Sequence, residues 1–256
     1  MRKIAIFVLT PILFYFSFCL TSDAQTRSRQ DYEESGNVVW DVNTKEKIVA
    51  ITFDDGPHPT FTPQILDILA KYDAKATFFV AGNKVKRFPD VLERIAKEGH
   101  EIGNHTFNHI YNRNITASTL TSELEQTDQI IQSITGYKPS LYRPVGGLYN
   151  DLIINTAAQN GKLVILWSWH QDPQDWKNTT ASKISNHITK GVNPGNIILL
   201  HDWFGSEFDE SSQTVNGLET TLNDLYNKGY KCVSVSELLL RSKMNDQDFF
   251  RTFPLK

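Results

Sequence analysis

The chain has 256 residues with 26 basic and 29 acidic side chains, a formal net charge of −3. That balance lacks the basic footprint of a nucleic-acid partner, so none is expected. The length suits one large domain with its own core.

Arg2 and Lys3 precede an apolar run over residues 4–20, which ends in Ser22-Asp23-Ala24. This is the layout of a secretory signal peptide over residues 1–24. The rival is an uncleaved anchor, since the run approaches the length of a membrane span. Bulky Phe18 before Cys19 argues against a lipid-anchored form. The chain is therefore expected to be exported to the periplasm, envelope or medium, with no stable membrane insertion after cleavage. Losing two basic residues and one acidic residue moves the charge from −3 to −4 and leaves Cys232 as the one thiol. No disulfide is then possible within the chain, and the core must supply the stability. Residues 25–44 form a lead-in whose polar part, 25–37, is expected to be disordered.

From residue 45 to 241 short apolar runs alternate with helical patterns, in one domain followed by a tail at 242–256. The β-branched run 47–53 reads as a strand, and a helix follows with Thr62 as cap and Pro63 at its first helical position. Next come a strand at 75–82, a helix from Pro89 closed by Gly99, a short strand before His105, and a helix over 118–135 closed by Gly136. The rhythm repeats through SLYRP, a helix at 150–160, KLVILWSW, a helix at 181–190 and NIILLHDW. A helix at 214–228, the strand YKCVSV and a short helix at 236–240 complete it. Such alternation implies a parallel α/β architecture. Periodicity alone leaves open a doubly wound sheet or a closed or broken barrel; the expected fold is a distorted (β/α) barrel of about seven parallel strands.

Ionisable residues stand where these strands end: Asp54-Asp55, His105, Arg143, Asp172 with Asp175, and His201. Loops after strand carboxyl ends build the active sites of parallel α/β folds. The stretch ITFDDGPHP is costly as a mere turn, because adjacent carboxylates repel. In HTFNH, His105 and His109 lie four residues apart, a spacing that on a helical turn puts both on one face. With a carboxylate from another strand end they would form a His₂Asp ligand set with room left for water or substrate. A cation held that way polarises a carbonyl and acidifies water.

Five motifs, in order, carry a family resemblance: TFDDG (52–56), HTFNH (105–109), RPVGG (143–147), DPQDW (172–176) and LLH (199–201). Over residues 45–240 the chain resembles the polysaccharide deacetylases, the NodB-homology domain or carbohydrate esterase family 4. The resemblance implies that Asp55, His105 and His109 bind one divalent metal, expected to be zinc, with cobalt or nickel possible. It implies Asp54 as general base beside Arg143, His201 as general acid, and Asp175 as the group that orients His201. The Gly146 N–H would meet the oxyanion, and Trp176 and Leu199 would wall the acetyl pocket. One departure is Gly146, which stands where the family usually has an aromatic ring.

The expected activity is removal of N-acetyl groups from an N-acetylglucosamine polysaccharide, either peptidoglycan or chitin oligosaccharide. The same machinery would serve an O-acetyl esterase acting on xylan. A rival of another kind is a non-catalytic glycan-binding protein on the same fold, which predicts decay among the catalytic positions.

Overall fold

The computed structural model describes residues 27–177, 179–203 and 205–245. The expected signal segment and residues 246–256 lie outside them. At the centre is β2 (Ile48–Asp54), with all seven residues buried. It pairs in parallel with β3 (Thr77–Val80) and β7 (Ile197–His201), and its first half also pairs with β8 (Lys231–Val233). Beyond β3 the sheet continues through β4 (Glu101–Asn104), β5 (Leu141–Tyr142) and β6 (Leu163–Ile165) to β1 (Val38–Val39), all parallel.

The sheet curls round until its two ends meet. Asp41 forms an antiparallel bridge with Asn196. The Ser168 N–H donates to Ile197 O at 3.0 Å, and the Leu199 N–H donates to Gln171 O at 3.0 Å. The chain after β6 thus closes the ring as an irregular segment instead of a longer strand. Arg143 accounts for part of that, because its guanidinium takes the carbonyls of Ile165 and Leu166 at 3.0 Å each. The architecture is a distorted (β/α) barrel in one domain.

Alternation along β2 separates two layers. Val49, Ile51 and Phe53 pack outward with Phe78 and the helices, whereas Ile48 and Ala50 pack inward with Phe79, Leu141, Ile165 and Ile197. Thr52 and Asp54 continue the inward row, so the strand pattern itself aims Asp54 into the mouth of the barrel.

The lead-in departs from expectation. Residues 29–34 form a helix, α1 (Arg29–Glu34), which a Ser28–Asp31 capping box starts. Val38 and Trp40 are buried against Val164 and Leu166, and that burial gives the segment a reason to order. The outer layer comprises α2 (Phe61–Lys71), α3 (Gly82–Arg87), α4 (Pro89–Lys97), α5 (Ala117–Thr135), α6 (Asp151–Gln159), α7 (Ala181–Gly191) and α8 (Gln213–Asn227), while α9 (Val235–Asn245) packs Val235 and Leu238 against the inward row. Thr62 is not the cap of α2 and Pro63 is not its first residue: the helix starts at Phe61 and both lie inside it. The Thr62 hydroxyl accepts the His58 N–H at 2.8 Å and donates to the buried Asp202 at 2.5 Å. No helix among the described residues is long and apolar enough to cross a membrane.

Candidate active site

Asp54 ends β2, and the next residue turns sharply. Asp55 has φ 78°, in the left-handed region, a strain of roughly 1–3 kcal/mol for a residue with a Cβ. That turn cancels the strand alternation, which would have sent the second carboxylate to the opposite face. Both acids therefore line one hollow. Their surroundings differ, however. Asp54 Oδ1 receives Arg143 Nη1 at 2.7 Å, while Asp55 Oδ1 lies 3.2 Å from His105 Nε2 and 2.8 Å from His109 Nε2. Burial would raise the Asp55 carboxyl, but the two imidazoles beside it hold it well below the usual carboxylate range.

The two histidines meet by a different route from the expected helical turn. Residues 105–109 are a loop after β4, with Thr106 and His109 at φ 67° and 55°. A buried carboxylate fixes its shape. Glu123, on α5, accepts the N–H groups of Phe107 and Asn108 at 2.8 and 2.6 Å and the Asn108 amide at 2.7 Å. From below, Asn104 accepts the Thr106 N–H at 2.8 Å and donates to Asp128 at 2.9 Å. Asp128 in turn is paired with buried Lys162 at 2.7 Å.

Ligand atoms of Asp55, His105 and His109 lie within 4.8 Å of one another. His105 Nδ1 donates to the Arg143 carbonyl at 2.7 Å, which in the neutral ring leaves Nε2 as a bare lone pair. A lone pair 3.2 Å from a carboxylate oxygen calls for a cation between them. The N, N, O donor set on three fixed groups thus fits a divalent metal.

Arg143 is fully buried, and every one of its contacts is directed. Besides Asp54 and the two carbonyls it meets Thr52 Oγ1 at 2.7 Å, and its guanidinium carbon lies 4.2 Å from the Phe79 ring centre. Burial lowers its pKa, opposed by the Asp54 charge. Arginine remains charged even so, because its ordinary value is far above neutrality.

On the opposite side, Asp175 is clamped by three bonds. It accepts His201 Nδ1 at 2.8 Å, the His201 N–H at 2.8 Å and the Thr214 hydroxyl at 2.7 Å. Burial disfavours the imidazolium, but the Asp175 carboxylate outweighs it and His201 is pushed up to about 10.

Between these groups is a hollow of about 500 Å³. Asp54, Asp55, His105, His109, Gly146, Trp176, Leu199 and His201 all line it, while Arg143 and Asp175 stand behind its wall. All ten residues singled out in the sequence are thus gathered at one place. The missing ring at Gly146 has a local replacement. A Cβ at this position would run into the Tyr111 ring, which the loop after His109 lays over the backbone. With φ 62° the position also favours glycine.

Sequence reasoning missed Glu123, Thr52, Thr214 and Tyr111. Glu123 left a trace, since it falls in the buried stripe of α5 with Leu120, Leu124, Thr127 and Ile131. An acid on an apolar helix face signals a buried partner. Tyr111 left none, because its role depends on how the loop folds.

Comparison with known proteins agrees with this geometry. The family model described as polysaccharide deacetylase matches residues 41–165. A peptidoglycan-N-acetylglucosamine deacetylase of Bacillus cereus (strain ATCC 14579) is 46% identical over 211 residues, covering 82% of this chain and 97% of that protein. A peptidoglycan-N-acetylmuramic acid deacetylase of Bacillus subtilis (strain 168) is 34% identical over 79% of this chain and 75% of its own length. Among solved structures, a peptidoglycan N-acetylglucosamine deacetylase in complex with 4-naphthalen-1-yl-N-oxidanyl-benzamide superposes with a TM-score of 0.76 at 31% identity, covering 82% of this chain and 95% of that one. With this fold, these motifs and relatives matched over most of their length, the chain belongs to the polysaccharide deacetylase family.

Proposed function

We propose that the protein hydrolyses the acetamide of N-acetylglucosamine units in peptidoglycan, with Asp55, His105 and His109 holding one divalent cation. The observation that supports this most is the arrangement around a single hollow of the ligand trio, the Asp54–Arg143 pair and the His201–Asp175 pair. A cation held there would polarise the acetyl carbonyl and acidify the attacking water. Zinc is the expected ion, and cobalt or nickel also suits the donor set.

The chain's own groups do the rest. Asp54 takes a proton from the attacking water, and Arg143 holds its carboxylate in position. The Gly146 N–H donates to the oxygen that becomes negative as the tetrahedral centre forms. His201, protonated through Asp175, gives its proton to the departing sugar nitrogen, so that the C–N bond breaks to leave an amine and acetate. Trp176 and Leu199 enclose the acetyl methyl and exclude larger acyl groups.

Peptidoglycan is favoured as substrate by the relatives named above, and the charged-then-apolar start of the chain fits work outside the cytoplasm. Acetate release should be measured on peptidoglycan, N-acetylchitooligosaccharides and acetylxylan, with and without chelator. Release from the first two that chelator abolishes is the expected result. Activity on acetylxylan alone would overturn the amide reading in favour of an ester one, and glycan binding without any hydrolysis would favour the non-catalytic rival.

A further inference from the structure

The residue after His201 is also an acid. Asp202 is 2% exposed and does not line the catalytic hollow, since its side chain lies behind the wall. It forms no ion pair among the described residues. Lys84, whose charge favours the carboxylate, lies instead over the Trp203 ring, 3.8 Å from its centre. Oδ2 accepts the Thr62 hydroxyl at 2.5 Å, while Oδ1 has no hydrogen-bond partner among the described residues. A buried carboxylate oxygen left unpaired is costly, so its presence calls for a reason. The neighbour supplies one. The carboxylate lies against Gly56, where an added Cβ would run into both its oxygens and its carbon. Gly56 is not among the residues with left-handed backbone, so contact and not torsion keeps that position bare.

We propose that Asp202 is a positioning residue for the cation site: braced by Thr62, its side chain wedges Gly56 and so holds Asp55 in the torsion that aims its carboxylate at His105 and His109. The proposal rests on the reading of those three residues as ligands of one divalent cation. Asp55 directly precedes Gly56 and sits at φ 78°. A strained torsion persists only where its surroundings over-determine it, and here they do. The Asp54 carbonyl accepts the Asp202 N–H at 3.2 Å, and the Gly56 carbonyl accepts the Ala81 N–H at 2.9 Å. The Thr62 hydroxyl that braces Asp202 also accepts the His58 N–H at 2.8 Å. The turn is thus gripped just before Asp55, just after it and again at His58. Asp202 takes part in each grip except the one from Ala81.

Zinc affinity, read by competition with a chromogenic chelator, and denaturant unfolding of the metal-free protein together separate positioning from mere packing. Asp202→Ala should weaken zinc binding by about 10–100-fold, as loss of a group supporting a ligand does. Asp202→Asn keeps the bulk against Gly56 and an oxygen for Thr62, so its affinity should stay within about threefold of wild type. Gly56→Ala should weaken binding about as much as Asp202→Ala. The double variant should bind no more weakly than Asp202→Ala alone, because the new methyl enters space the carboxylate has left. If wild type binds zinc and Asp202→Ala binds it within about twofold, the positioning role is refuted while the metal site stands. Losses that multiply in the double variant would refute it too, as would an asparagine variant as weak as the alanine one. A fall in stability with unchanged affinity would reduce Asp202 to a tie between β7 and α2. If Asp202→Ala does not fold, Gly56→Ala decides alone, and affinity within about twofold of wild type refutes the wedge. Wild type that binds no zinc would instead fail the metal reading, and this role with it.

Discussion

Asp54 and His201 are paired residues on adjacent strands, at the last rung of the β2–β7 ladder. Residues paired in a ladder project to the same face, so the proposed base and the proposed acid both look into the barrel mouth. Each also has its own buried counter-ion, Arg143 for Asp54 at 2.7 Å and Asp175 for His201 at 2.8 Å. The pair can therefore hold opposite charges at one pH, which is what a reaction with one proton removed and another delivered requires.

Asp54→Asn keeps the shape and the contact with Arg143 but removes the basic lone pair. It should retain one metal per chain and lose about a thousandfold in turnover, within the range general base catalysis supplies. Metal analysis beside acetate release would check this. A variant that retains near-normal turnover would show that Asp54 is not the base.

Arg143 carries structure as well as chemistry. Arg143→Met would leave Asp54 as an unpaired buried charge and strand the carbonyls of Ile165 and Leu166 where the barrel closes. Removing one partner of a buried ion pair costs about 3–5 kcal/mol. Denaturant unfolding should show a loss of that size, and a loss below about 1 kcal/mol would contradict the structural role.

Much of this site was legible before the fold, for a physical reason. Strand ends are where parallel α/β proteins place ionisable loops, and apolar runs mark the strands, so Asp54, His105, Arg143 and His201 fall at the expected points. What could not be read was how backbone torsion modifies side-chain direction. The left-handed turn at Asp55 and the non-helical loop of residues 105–109 arise from packing that no local pattern announces. Closure of the barrel through Ser168 and Gln171 is equally hidden, because it uses single backbone bonds to β7 instead of an apolar strand. The lead-in was misjudged for the opposite reason. Its polar text conceals a capping box, and its order depends on Val38 and Trp40 finding a cover elsewhere in the chain.

The His201–Asp175 pair makes a prediction about pH. His201 acts as an acid and must be protonated, and Asp175 pushes it up to about 10, so activity should persist in mildly alkaline solution and fall as pH rises through that value. In Asp175→Asn the burial that disfavours the imidazolium remains, while the largest of the charges that oppose it is gone and only those of Asp55 and Asp54 are left. The alkaline limb of kcat/KM against pH should then move down from about 10 toward the ordinary 6.5. An unmoved limb would mean that another group supplies the proton.

Glu123 offers a test of the histidine loop that touches neither ligand. Its carboxylate accepts two backbone N–H groups and one side-chain amide from residues 107 and 108, between the two histidines. Ionised acceptors make stronger bonds than neutral ones, and here they hold a loop with left-handed residues at Thr106 and His109. Glu123→Gln keeps the size but turns one acceptor into a donor that faces other donors. The loop should loosen while the barrel stays folded, and metal affinity should fall by about 10–100-fold, as it does when groups supporting a ligand are lost. Competition with a chromogenic chelator would measure that fall, and excess metal should restore much of the acetate release. Affinity within twofold of wild type would show that the β4 ladder and Asn104 alone hold the two imidazoles in place.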